Sequence, residues 1–578
     1  MRVIPRIILS LLFLLQPHQV FSADQEQELV ISVLPFEVSE EGEYAFLNRS
    51  IDQMLLARLS RYQDLKILAI TLDDERIKAL QQEQQAGDLG EAAAKLRGQW
   101  LVEPSMYSLK GGMQLNLSLI PLQGGRAISF TEKIDNQDQI MAAVSSLAED
   151  IYKTVSELDS EDNLARIEKK DDEALSGFAT PHPERDYKRG IYGGASIIAG
   201  DQGGASFESR GVRKSGVLPM QVEALVAGDL NNDGRKDLIV SSRSKIRIFT
   251  YDDLNFQLVA SYDFSPAMKI HALNIGDLDS DGTKELYISA NEGRYASSAI
   301  LGWNGSKSLQ SVSQGLRWYI RPLRILGKGE VLIGQQTSFR QDQDFLSPGV
   351  FELSRNPDTG RLKKGNKMLL PEGTNLFDFI HADLDGDGLA ETVVIDKDQK
   401  LLVYDSALNL IWVSSANYGG SKRYFGPHWQ KTDSVDSSGL SQSQQDNRRL
   451  IFIPGRLDVK DITGNGLPEV VLSTNEVSIS KYLKNTRTYD GGAVACLGWY
   501  GQGLVEFWRT SQISGYVADY FFDDSADEID TRGRITNRLY VAQIPASSII
   551  DKILPQRVSK LLAYEMVVTK VAEKPASP

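Results

Sequence analysis

Two hydrophobic rhythms divide the chain. Up to about residue 158, apolar strand patterns alternate with helical ones. Leu29-Val-Ile-Ser-Val-Leu-Pro35 is an apolar run closed by proline, the pattern of a buried strand. Leu47, Ile51, Met54, Leu55 and Leu59 recur at the three- and four-residue spacing of a helix face. Leu65–Ile70 predicts a second strand, and Asp73–Leu96, rich in Ala, Leu, Gln and Glu, a second helix. Trp100–Tyr107 and Met113–Ile120 predict strands around the turn Lys110-Gly-Gly112, and Ile140–Val155 an amphipathic closing helix. Residues 24–158 thus read as a small α/β domain. From 189 to 570 the pattern is short β runs between turn residues. The intervening 159–188 has mixed charge, prolines and no apolar period, which makes it a linker. Residues 431–449, dense in Ser, Gln and Asp, read as a polar loop inserted in the β-rich half.

Four acidic loops punctuate that half: Asp229-Leu-Asn-Asn-Asp-Gly-Arg-Lys-Asp237, Asp277-Leu-Asp-Ser-Asp-Gly-Thr-Lys-Glu285, Asp383-Leu-Asp-Gly-Asp-Gly-Leu-Ala-Glu391 and Asp461-Ile-Thr-Gly-Asn-Gly-Leu-Pro-Glu469. An apolar β run follows each: Leu238–Val240, Leu286–Ile288, Thr392–Ile395 and Val470–Leu472. Recurrence at this scale marks a repeat architecture, and units of about four short strands make a β-propeller. The first two loops begin 48 residues apart, the second and third 106, the third and fourth 78. The 106-residue gap holds two units, and near its midpoint Leu326-Gly-Lys-Gly-Glu-Val-Leu-Ile333 looks like the same turn stripped of its acids. The 78-residue gap contains the polar insertion. One further step lands on Asp519–Glu528, acidic but lacking the glycine. These positions predict six blades. The last unit shows two clear strands, Leu539–Ile544 and Leu561–Val568, so Gly203–Gly211 is expected to complete it and close the ring. A seventh blade stays open, because Ile191–Ile198 offers another strand pair.

The loops carry chemistry as well as register. Oxygen-bearing side chains at positions one, three, five and nine, with glycine at six, suit a hard cation, above all calcium. An Asp-Gly turn alone needs only the glycine and one neighbour. An EF-hand needs a Glu at position twelve and flanking helices; here position twelve is Val240, Ile288, Val394 or Leu472, inside a β run. What remains is a strand-loop-strand site, with the position-seven carbonyl completing the shell. The second and third loops offer four carboxylates each and the first three. The fourth has Asp461 and Glu469, with Thr463 and Asn465 between, so it is expected to be weakest or empty.

These loops resemble those of the FG-GAP and VCBS repeat families, best known from the integrin α-chain propeller. The resemblance implies calcium ligands at Asp229, Asn231, Asp233, Arg235 (carbonyl) and Asp237, and at Asp277, Asp279, Asp281, Thr283 (carbonyl) and Glu285. It implies the same for Asp383, Asp385, Asp387, Leu389 (carbonyl) and Glu391, with Asp461, Asn465 and Glu469 as the fourth set. The Phe-Gly and Gly-Ala-Pro signature is not evident, so an integrin-type ligand site is not implied. The first domain resembles the amino-terminal α/β domain of TolB-like envelope proteins, through Val33–Phe36, the helix up to Leu59 and the strand pair around Gly111. Such domains usually serve as interaction modules.

Composition narrows the functional classes. A net charge of −14 argues against nucleic acid, whose phosphates need a basic face. Arg2 and Arg6 precede the apolar run Ile7–Leu15, and Val20-Phe-Ser22 offers a cleavage site, so residues 1–23 read as a secretory signal peptide. That run is too short to span a bilayer, and no membrane span is expected in the mature chain. The expected location is the bacterial periplasm or envelope, or outside the cell. Cys496, the single cysteine, lies in the apolar run Ala493–Leu497 and reads as a buried small hydrophobe. No phosphate loop, zinc-protease helix or serine-hydrolase elbow is present. His271 and His381 share no register with their loops, which suits packing better than catalysis. The tryptophans Trp303, Trp318, Trp429 and Trp499 suit blade cores.

The expected function is a non-catalytic, calcium-stabilised scaffold that binds a protein or polysaccharide partner in the envelope. Two rivals stand beside it: a propeller lyase or hydrolase with its site in the central channel, and an envelope assembly factor docking through the α/β domain. A converged cluster of Asp, His and Arg in the channel would point to the enzyme; a bare or apolar channel would point to binding.

Overall fold

A computed structural model describes residues 29–38, 47–62, 64–70, 98–122, 127–158, 191–192, 197–199, 205–250, 257–305, 308–338, 345–356, 359–426, 451–477, 487, 489–501, 503–523, 535–545 and 558–570. The leader, the 73–96 helix, the linker, the polar insertion and the acids at 524–528 lie outside the described residues.

The amino-terminal strands are β1 (Leu29–Val33), β2 (Glu37–Val38), β3 (Leu65–Ala69), β4 (Trp100–Leu109), β5 (Gly112–Pro121) and β6 (Ile128–Ile134). They form one sheet in the order β3-β1-β4-β5-β6, with β2 beside β4. β1 is parallel to β3 and β4, while β4, β5 and β6 are antiparallel neighbours. Helices α1 (Asn48–Leu59) and α2 (Ile140–Leu158) pack against each other. α2 buries Ile140, Val144, Leu147, Ile151 and Val155, one continuous helical stripe. Each such side chain contributes about 1.5–3 kcal/mol on burial. The stripe belongs to the same core as Ile31, Ile51, Leu55, Leu115 and Leu117.

β5 is buried on both faces, and its alternation assigns them. Met113, Leu115, Leu117 and Leu119 join the core shared with the helices. Gln114 and Asn116, 0% and 1% exposed, point the other way, toward the second domain. Gln114 Nε2 donates to Val413 O at 2.9 Å, and Asn116 Nδ2 to Ser414 O at 3.3 Å. Lys110 N donates to Leu410 O at 2.9 Å, and its ammonium pairs with Asp405 at 2.8 Å. The α/β sheet therefore covers the outer edge of the fourth blade, where unpaired carbonyls would otherwise face solvent. A linker alone gives no hint of this seating.

Six antiparallel sheets follow. Their inner strands are Ala224–Gly228, Met268–Gly276, Tyr319–Ile325, Phe379–Ala382, Leu457–Lys460 and Tyr516–Asp523. The six-blade count is correct, and Leu326-Gly-Lys328 is the turn between the first two strands of blade three. Ala205–Lys214 pairs with Lys560–Lys570 as the fourth strand of blade six, closing the ring as expected. Ile191–Ile198 builds no seventh blade. Ile191–Tyr192 adds to the edge of blade six and Ile197–Ala199 to the edge of blade five. The expected acidic turn at Asp519–Glu528 needs correction. Asp519 and Asp523 lie within the inner strand of blade six and are buried, 2% and 3% exposed.

The blades meet through large apolar side chains. Trp508, fully buried, stacks near Phe522 and Phe207, so blades five and six share one core. Cys496 is buried in that core, and burial pushes its thiol well above the ordinary range. Trp318 is buried against Phe351 as expected of a core residue.

Candidate functional site

All four acidic loops join an inner strand to the second strand of its blade. The ninth residue opens that second strand and pairs with the last residue of the inner one: Gly228 with Asp237, Gly276 with Glu285, Ala382 with Glu391, Lys460 with Glu469. The first Asp builds the turn. Asp229 accepts from the N–H of Asp233 and Gly234, Asp277 from Asp281 and Gly282, Asp383 from Gly386 and Gly388, Asp461 from Asn465 and Gly466, all at 2.7–3.1 Å. The fifth side chain accepts the seventh N–H, from Arg235, Thr283, Leu389 and Leu467 respectively. Thus the position-seven residues stand beside position five through their N–H groups.

Sequence reasoning missed position four. Asn232, Ser280, Gly386 and Gly464 have φ of 56°, 57°, 80° and 67°, so each loop has a second left-handed residue besides its glycine at six. Asn and Gly tolerate that region, and Ser280 does so at a cost. The identity of the residues at position four was the available signal.

The loops differ in how they use the ninth carboxylate. Asp237 is buried, and its Oδ2 has no hydrogen-bond partner. Burial, then the charges of Asp233 and Asp229, push it up to about 6. Asp277, Asp279 and Asp281 bring carboxylate oxygens within 4.8 Å of one another. Behind them, burial and Asp279 push Glu285 up to about 7, against a hydrogen bond from the Tyr287 hydroxyl. Asp383, Asp385 and Glu391 converge within the same distance. Burial, with Asp385 and Asp387 adding, pushes Glu391 up to about 7 despite a bond from Leu384 N. Buried or converging carboxylates with such pressure against ionisation fit a hard divalent cation. The fourth loop fits it less well. Glu469 accepts from Ile462 N, Thr463 N and the Thr463 hydroxyl, so both its oxygens are occupied within the loop.

The loops also touch their neighbours around the ring. Arg355 of blade three pairs with Asp279 at 2.8 Å. A Cβ on Gly386 would lie 2.9 Å from Leu467, so the third and fourth loops pack together.

The channel is neither bare nor apolar. Arg456 donates twice to Asp519, at 3.1 and 2.9 Å, and at 3.1 Å to the carbonyls of Leu225 and Leu273. Arg423 donates to the carbonyls of His271, Pro454 and Glu223, at 2.9, 3.2 and 3.4 Å. Leu225 and Leu273 each lie four residues before a loop's first Asp, and Glu223 and His271 six. Each arginine therefore ties blades one and two together in register. His271 is fully buried and bonded to Asn291; burial holds it well below its ordinary range. The two arginines are spent on the ring's own carbonyls and on Asp519, and His271 on the Asn291 side chain.

Residues 229–288 match the FG-GAP-like repeat family. No curated protein matches the chain. Among solved structures, TolB from Acinetobacter baumannii is similar at 11% identity and a TM-score of 0.26, covering 85% of this chain and 95% of its own. Sqt1 from Saccharomyces cerevisiae aligns at 8% identity and a TM-score of 0.29, over 63% of this chain and 99% of its own. PelC from Paraburkholderia phytofirmans aligns at 10% identity and a TM-score of 0.15, over 22% of this chain and 87% of its own. Among the described residues, no helix is long and apolar enough to cross a membrane. The chain is a six-bladed β-propeller that carries an FG-GAP-like repeat and a small amino-terminal α/β domain.

Proposed function

We propose that this protein is an exported, non-catalytic binding scaffold whose propeller is held together by calcium in its first three acidic loops. The observation that carries the metal reading is the convergence of Asp277, Asp279 and Asp281, and of Asp383, Asp385 and Glu391, within 4.8 Å, with the ninth carboxylate buried at the root of each loop. Asp229, Asn231, Asp233 and Asp237 would hold the ion in the first loop. Asp277, Asp279, Asp281 and Glu285 would do so in the second, and Asp383, Asp385, Asp387 and Glu391 in the third. Bound calcium supplies the positive charge that lets these carboxylates stay ionised side by side. The chain's own part is to fix the turn through the first Asp and the left-handed residues at four and six.

Isothermal titration calorimetry with calcium on the full chain tests the reading. The expected result is three sites and a higher melting temperature. Each site stabilises by about 2.7 kcal/mol at calcium one hundredfold above Kd. Absence of both heat and thermal shift sinks it.

Binding to a protein partner is favoured by the rigid ring. The absence of catalysis is favoured by the engagement of Arg456 with Asp519 and the Leu225 and Leu273 carbonyls, and of His271 with the Asn291 side chain. Pull-down from envelope fractions, with and without calcium, tests the partner. Fractionation of cells expressing the chain tests export, which rests on the leader pattern at residues 1–23.

A further inference from the structure

The inner strands separate two faces, with the acidic loops on one and the strand starts on the other. Ala224–Gly228 runs from Glu223 to the Asp229 loop, and Met268–Gly276 carries Lys269 at its start and meets the Asp277 loop at its finish. The two arginine ties show that these strands lie side by side in register, so the acidic loops share one face and the strand starts share the other.

Cations gather at the strand starts. Glu223 feels Arg423, Lys269, Arg243 and Lys422, and their charges oppose the upward push of burial on its carboxyl. Arg423 is buried and fixed by three carbonyls, while Lys422 and Arg243 are exposed. Three aromatic rings hold the cations in place. Lys269 Nζ lies 3.2 Å from the Tyr424 ring centre, Lys422 Nζ 5.0 Å from that of Tyr516, and the Arg487 guanidinium 4.0 Å from that of Phe452. A protein of net charge −14 thus gathers cations, three of them against aromatic rings, at the strand starts around Glu223.

We infer that this cluster binds a carboxylate-rich segment of a protein partner, received by the exposed Arg243 and Lys422 beside Glu223, with Lys269 and the buried Arg423 behind them. The inference rests on the scaffold reading and names the face and the partner's chemistry. The cations converge on one carboxylate instead of lining a groove. That suits a local cluster of Asp or Glu side chains better than the evenly repeated charge of an acidic polysaccharide. Opposite charge on a rigid face steers encounter and fixes orientation.

The test is fluorescence anisotropy of a labelled hexaglutamate peptide with the calcium-loaded full chain. Binding should weaken with salt and fall about tenfold in the Lys422→Glu, Arg243→Glu double variant, both sites being exposed. It should be unchanged in Lys363→Glu, an exposed lysine on the outer strand of blade three. No binding, equal loss in Lys363→Glu, or binding of oligogalacturonate with none of the peptide overturns the inference. Thermal melts confirm that the variants fold. If calcium-dependent capture of a protein persists undiminished in the double variant, the scaffold reading stands and this face is not the site.

Discussion

Lys236 Nζ meets Asp523 Oδ1 at 2.6 Å, and the contact joins the acidic loop of blade one to the inner strand of blade six. These are the first and last blades, so the pair fastens the interface between them. Asp523 is 4% exposed in its side chain and Lys236 31%. Asp523→Ala should cost about 1–2 kcal/mol, below the figure for a fully buried pair because Lys236 stays partly hydrated. Urea denaturation reads the loss as a lower midpoint.

Asp523 also shows what the sequence conceals. Its acidic neighbourhood sits one repeat beyond the fourth loop and looks like a decayed metal loop, yet the residue is a strand residue paired with Lys236 of blade one. The blade count was legible because the four loops recur at a common offset from the inner strands, and a missing loop still leaves its turn, as at Gly327. The turn residues at position four were visible but carried no rule until their φ values were known. The channel arginines were not legible at all. Arg456 meets Leu225 across 231 positions, a distance at which no local pattern survives. Gln114 and Asn116 hold the polar positions of a regular alternation, which reads as a solvent face, and their acceptors lie 299 and 298 positions away.

Loop occupancy should follow the ninth carboxylate. Glu391→Gln removes one of the converging oxygens in the third loop, and calorimetry should count two calcium sites instead of three. Glu469→Gln should leave the count unchanged, because Glu469 is already bonded to Ile462, Thr463 and the Thr463 hydroxyl.

Asp378, at the start of the inner strand of blade four, gives a pH signature away from the loops. Burial pushes its carboxyl up to about 6, opposed by bonds from the Asn375 N–H and side chain and by Arg321. The unfolded chain ionises this group near the ordinary value of 3.8, before the folded protein does. Its contribution to stability is therefore full below that value and is lost as pH rises toward 6. Asp378→Asn keeps an acceptor for Asn375 without the charge. The melting temperature of Asp378→Asn relative to the parent should rise between pH 4 and pH 7. A flat difference refutes the assignment.

The entry strands at 191–199 should be dispensable for the ring but not for its edges. A chain with residues 191–199 deleted loses the fifth strands of blades five and six. It should melt a few degrees lower with the same calcium count, about 2–4 °C for each kcal/mol lost in a large domain. Removing 205–214 as well takes the fourth strand of blade six and should abolish cooperative unfolding.

The seating of the α/β sheet on blade four has a mechanical consequence. The propeller closes at blade six, where its amino-terminal and carboxy-terminal strands zip together, and such a seam yields first when a chain is pulled from its end. The hydrogen bonds from Gln114, Asn116 and Lys110 anchor the first domain to a different sector of the wheel. Tension applied through that domain enters the ring at blade four and is shared by the hairpins there, away from the strand pair that closes blade six.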